Sequence, residues 1–314
     1  GGGEVVQVML GKVGAEVVVC AGAIDTPKLL LLSGIGPSDQ LSEVGVKPVA
    51  ELPQVGKNLQ DHLLVIVTNI CRKPNAARET NVLGMHGWVH LEAPGKQSVD
   101  IMFKDASNVW QLAPALLPSM FLPQSESIFW GAARRMFAWV VRGAMAVPFV
   151  RSESQKGVLA GLCLMGPKSR GHVTISSSDP SDPPQVDPNF LSAESDVAAL
   201  RFALEAYRKM QATETGVTWM GPELLPGPLY SWGSTKGGEA RYLQQTGMSF
   251  FHPAGTCRMG EMPLDSVVDG ALRVHGVDAL RIADASIAPS LPSAPTQAMA
   301  YMIGHRAGVL MLSA

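Results

Sequence analysis

Cysteine is scarce in this chain of 314 residues. The four that occur, Cys20, Cys71, Cys163 and Cys257, are far apart and never in C-x-x-C spacing. That excludes a thiolate metal centre, and no metal site is expected. Cys20 and Cys257 read as small buried residues rather than disulfide partners. Charge of one sign is also lacking: 25 Lys and Arg balance 27 Asp and Glu, giving a net charge of −2. Such a balance makes no case for nucleic acid or an anionic membrane as partner. Long apolar runs are missing too. The best candidate, Met136 to Val150, is short and interrupted by Arg142, so no membrane span is expected.

What is present is a sizeable apolar fraction, 46%, enough for two domains each with a core. Val5 to Leu10 and Glu16 to Cys20 predict two strands, the second a continuous apolar run after Glu16, as in a buried parallel strand. It runs into Ala21-Gly22, a small-residue turn where a cofactor could approach the backbone. A helix is predicted next, with Thr26 as N-cap, Pro27 at the first position, Leu29 to Leu32 as the body and Gly34 and Gly36 as the stop. Further strands are predicted at Val158 to Leu164 and Val173 to Ile175, and a helix over Asp196 to Ala212. Leu280 to Asp284 reads as another strand. A proline-rich crossing follows, and then a helix from about Thr296 that is apolar nearly all round and so expected to be buried. Val109 to Val150 carries Trp110, Met120, Phe121, Phe129, Trp130, Phe137 and Trp139. It reads either as core or as a lid over an apolar substrate, with Arg134, Arg135 and Arg142 outermost.

The most informative stretch is FFHPAGTCRMG, Phe250 to Gly260. Pro253 cannot continue a helix and Gly255 permits a tight turn, so His252 is presented on a loop. An imidazole titrates near neutral pH and can accept or return a proton. Taken alone, the dipeptide favours a histidine merely packed at a turn.

Its context is specific. GAIDTPKLLLLSGIG (Gly22 to Gly36), LPQVGKNLQDH (Leu52 to His62), the His252 block and the run from Val267 to Gly308 occur in this order. The segment from Ser169 to Ser192 lies between them. Together they resemble the glucose–methanol–choline (GMC) oxidoreductases, FAD enzymes that oxidise alcohols. The resemblance implies an α/β plus α+β fold. An FAD-binding Rossmann-like domain would occupy residues 1–64 and return over 251–314. A substrate domain on a mainly antiparallel sheet would be inserted at 65–250. The family's strand–GxGxxG–helix, which holds the FAD pyrophosphate, does not occur in these residues. The sequence is therefore expected to be the C-terminal half to two-thirds of such an enzyme, needing the N-terminal FAD-binding segment or a partner chain to bind FAD.

Residue by residue, the resemblance makes His252 the catalytic base. It puts Asp284 and Ala285 at the flavin's phosphate and ribityl portion. Thr296 and Gln297 fall at its pyrimidine, where a helix N-terminus favours negative charge, and Cys20, Ala21 and Gly22 at the adenosine side. Asn58 and His62, in the N-L-x-D-H stretch, read as structural. The family places a second His or Asn opposite the base, and here that position is Pro295. Three readings stay open. One is an alcohol oxidoreductase acting on an apolar primary or secondary alcohol. Another is a member with other flavin chemistry, as in hydroxynitrile lyases or fatty-acid photodecarboxylases. The third is a non-catalytic fragment or subunit.

Overall fold

The computed structural model describes residues 15–72, 85–93, 95–105, 118, 122, 127–147, 157–227 and 238–313. The expected strand Val5 to Leu10, and Trp110, Met120 and Phe121, lie outside them. The chain divides into two units. One comprises Gly1–Asp61, Ser169–Asn189 and Phe251–Ala314; the other comprises His62–Lys168 and Phe190–Phe250. The sequence reading put Ser169–Asn189 in the inserted domain, whereas it packs in the first unit. There the backbone of Gly171 exchanges hydrogen bonds with Leu59, and Val173 donates to Gly56. Such pairing joins residues more than a hundred apart and leaves no trace in local pattern.

In the first unit, β1 (Val17–Val19) pairs in parallel with β12 (Leu280–Ile282). Between them in sequence, α1 (Gly22–Leu32) supplies Leu30 and Leu31 to a core shared with Leu41, Val267, Ile282 and Ile303. Helix α1 begins five residues before the expected first position, Pro27, because the carboxylate of Asp284, remote in sequence, accepts the Gly22 N–H at 3.0 Å. Pro27 thus lies inside the helix and has no N–H for the carbonyl of Ala23. The buried Thr256 hydroxyl donates to that carbonyl instead, at 2.7 Å. The last helix, α7 (Gln297–Leu312), buries Met299, Ile303 and Ala307, while Tyr301 and Leu312 are 72% and 91% exposed. The expectation that it is buried all round is therefore corrected: one stripe at helical spacing is covered. Cys20 is exposed rather than buried, and Cys257 is buried as expected.

The second unit is built on a six-stranded antiparallel sheet. Its order is β10 (Met220–Leu225), β4 (Leu63–Cys71), β7 (Gly157–Leu164), β6 (Gln97–Asp105) and β5 (Met85–Ala93), with the short β11 (Met248–Ser249) also on β4. Alternate residues Leu63, Val65 and Val67 of β4 meet Val99 and Ile101 of β6 and Leu162 of β7 on one face. Helix α4 (Glu194–Gln211) covers that face with Leu200, Ala203, Leu204 and Tyr207, spaced three and four apart. It starts two residues before the expected Asp196, with Ala193 as the N-cap and no side-chain hydrogen bond there. Asp196 is buried, and its Oδ1 accepts from Gln97 Nε2 at 2.6 Å and from the Lys168 N–H at 2.8 Å.

Candidate functional site

The His252 block is built within the first unit, and the stretch Asn58 to Asp61 positions it. Gln60 and Ala254 exchange backbone hydrogen bonds at 3.0 and 2.9 Å, and Asn58 Nδ2 donates to the Gly255 carbonyl at 3.0 Å. Gly255 has φ +87°, and a Cβ there would lie 2.8 Å from the Asn58 carbonyl oxygen, so only glycine fits this approach. Phe251, also left-handed at φ 61°, turns the chain immediately before His252. The His252 N–H then donates to Asp61 Oδ1 at 2.9 Å.

His252 is half-buried. Burial holds its imidazole below the usual 6.5, and the charge of Asp61 offsets part of that shift. The ring is therefore neutral at neutral pH, the state in which it can accept a proton. On its other side the block runs beside residues 285–287: Gly255 donates to the Ala285 carbonyl, Cys257 to Ser286 and Met259 to Ile287. Gln60 reaches further, donating to the Pro289 carbonyl at 3.1 Å and accepting from the Leu291 N–H at 3.3 Å. One short segment thus fixes both the histidine turn and the start of the proline-rich crossing. Sequence reading named Asn58 as structural but passed over Gln60 and Asp61. The D of N-L-x-D-H was the available signal.

Asp284 lies two residues beyond β12, at the N-cap of a short 3-10 turn over Ala285–Ile287. One carboxylate oxygen accepts from Gly22 N–H and from the Thr26 hydroxyl at 2.6 Å; the other accepts from Ser286 N–H at 2.8 Å. Its charge is committed to protein donors. It orients the Gly22 N–H and bonds its own backbone two residues on. Cys20, Ala21 and Gly22 are brought to this carboxylate. Partial burial, and then Asp284, push the Cys20 thiol up, so it is not a poised nucleophile.

Pro295, Thr296 and Gln297 stand at the start of α7. Thr296 is the N-cap but gives no side-chain hydrogen bond, so the first-turn amides are left without that partner. Pro295 lines an open apolar groove of about 490 Å³ with Met259, Ile287, Leu291, Met299 and Met302. His252 is not among the groove's lining residues.

The likeness to known proteins agrees with this arrangement. Residues 5–64 match the N-terminal part, and residues 167–304 the C-terminal part, of the family described as GMC oxidoreductase. An oxygen-dependent choline dehydrogenase of Proteus mirabilis (strain HI4320) is 32% identical over 94% of this chain and 50% of the relative. One of Serratia proteamaculans (strain 568) is 30% identical over 97% of this chain and 52% of the relative. Among solved structures, pyridoxine 4-oxidase from Mesorbium loti superposes with a TM-score of 0.69 at 27% identity, over 95% of this chain and 51% of that one. The chain spans about half the length of the curated relatives it matches. With both family segments matched in order, and with a choline dehydrogenase alignment running through nearly all of its length, the chain belongs to the GMC oxidoreductase family.

Proposed function

We propose that these residues form the catalytic and substrate-facing part of an FAD-dependent enzyme that oxidises an alcohol to a carbonyl, with His252 as the base. The observation that carries the reading is the neutral, half-buried imidazole, fixed at its backbone by Asp61 within a doubly braced turn. Oxidation of an alcohol removes a proton from oxygen and a hydride from carbon. His252 takes the proton through a ring nitrogen and returns it to solvent between turnovers. FAD, when bound, supplies the acceptor for the hydride at N5.

The residues present fit that cofactor. A Cβ built on Gly22 would meet no atom within 4 Å, and Cys20 and Ala21 beside it are exposed, so a ligand can approach the backbone there. The uncapped first turn of α7 offers N–H groups and the positive end of a 16-residue helix to an electron-rich ring edge. We therefore read the first unit, with its parallel β1–β12 pair, as the FAD-binding portion, incomplete in these residues. We read the antiparallel unit as the substrate domain, for a primary or secondary alcohol of apolar character. Pro295 is the one feature favouring a second reading. It has no side-chain donor or acceptor at the position where the family places His or Asn, and other flavin chemistry or a silent protein would follow if that loss is complete.

No GxGxxG turn occurs in the sequence, so the pyrophosphate lacks its usual anion site. The 314 residues alone are accordingly expected to purify without bound flavin and to acquire it only with a GxGxxG-bearing polypeptide. Visible absorbance of the purified chain tests this, and stoichiometric flavin in the chain alone would contradict it.

The pH profile carries a second expectation. The acid limb of kcat/KM for the flavin-loaded enzyme should lie below 6.5, because burial disfavours the imidazolium. Asp61 favours the protonated ring, so Asp61→Asn should move the limb to still lower pH while keeping an acceptor for the His252 N–H. A limb that moves upward in this variant would contradict the assignment.

A further inference from the structure

Helix α3 (Ile128–Ala146) lies in the segment that sequence reading left open between core and lid. The helix is well formed: Ser127 caps it, its side chain accepting the Trp130 N–H, and Phe129 and Trp130 pack edge-to-face at 5.1 Å. None of its described residues is buried, so it is not core. Ile128 is 88% exposed, Phe129 71%, Met136 67%, Trp139 74% and Val140 53%. At about 100° per residue these five, with Val147 just beyond the helix, fall within one sector of roughly 120°. Ala132, Gly143 and Ala146 fill the rest of that sector. The half-buried Trp130, Phe137 and Val141 occupy the opposite side. A water-facing stripe with two large aromatics, continuous along the helix, differs from the singly scattered apolar residues of an ordinary surface.

Charge selects the occupant. The helix holds three arginines and no acidic residue. The exposed Arg135 and Arg142, seven residues apart, lie along one border of the apolar sector, where long stems can follow apolar surface while their guanidinium groups reach outward. The whole-chain charge of −2 made no case for an anionic membrane, but the cations that matter are concentrated on this one helix. No helix among the described residues is long and apolar enough to cross a membrane. We propose that α3 lies in the plane of an anionic phospholipid surface, with Phe129, Met136, Trp139 and Val140 at the acyl boundary and Arg135 and Arg142 on lipid phosphates.

Co-sedimentation of the full chain tests this, using phosphatidylcholine vesicles with and without about 30% phosphatidylglycerol. Binding is expected to the anionic vesicles and to be much weaker to phosphatidylcholine alone. Arg135→Gln with Arg142→Gln should lower anionic-vesicle binding about 25-fold, at roughly fivefold per arginine near the surface. Phe129→Ser with Trp139→Ser should abolish binding to both vesicles with only a small change in the thermal midpoint, because both side chains are largely exposed and the Phe129–Trp130 ring contact is the only packing lost that the structure describes. As a second readout, brominated acyl chains should quench tryptophan emission in the bound wild type, and Trp139→Phe should lose most of that quenching while still binding. Failure to bind anionic vesicles would overturn the proposal, as would binding unchanged by Phe129→Ser with Trp139→Ser. A dimer that forms without lipid and is dispersed by those substitutions would assign the stripe to a second copy of the chain and overturn it equally.

Discussion

Replacing His252 by alanine is expected to slow alcohol-driven flavin reduction by about two to four orders of magnitude, the usual contribution of a positioned general base. The side chain is the only part of the turn that changes. The hydrogen bond to Asp61 comes from the His252 backbone, and the Gln60–Ala254 pair and the Gly255 turn do not involve the imidazole. Flavin content and thermal midpoint should therefore stay close to wild type while the rate falls. Stopped-flow reduction of the reconstituted enzyme measures the effect. A variant as fast as wild type would show that His252 merely packs at a turn.

Pro295→His and Pro295→Asn are expected to act in the opposite direction. If the enzyme oxidises an alcohol with one polar group at the substrate oxygen, a second contact should stabilise the transition state by at most about 2 to 4 kcal/mol, or roughly 30- to 900-fold in rate. Pro295 is exposed and lines the open groove before α7, so a larger polar side chain meets no packed core there. The gain shrinks if the new side chain finds no rotamer directed at the substrate oxygen. Flavin reduction over an alcohol panel decides the point. No gain with any alcohol, with flavin binding intact, would favour the other flavin chemistries or a silent protein.

How far the sequence carried depended on whether the cause of each feature was local. The His252 turn was legible because proline and glycine act on their own backbone. Strands such as Gly157–Leu164 were legible through an apolar, β-favouring run, and the helix over Glu194–Gln211 through its period. The start of α1 was missed by five residues, because the group holding Gly22 is the Asp284 carboxylate, 262 positions away. Separations of 229 and 231 positions likewise concealed Gln60, whose amide braces Pro289 and Leu291. Composition misled at α7, where an apolar helix does not imply a buried one, and at α3 it left core and lid undistinguished, because burial depends on which neighbours are present to cover each face.

The most direct test of the account is anaerobic mixing of the flavin-loaded protein with primary and secondary alcohols while its visible flavin absorbance is followed. The account predicts bleaching with at least one apolar alcohol, release of the matching aldehyde or ketone, and a rate that collapses in His252→Ala. A flavin band that persists with every alcohol, yet bleaches at once with a chemical reductant, would contradict it.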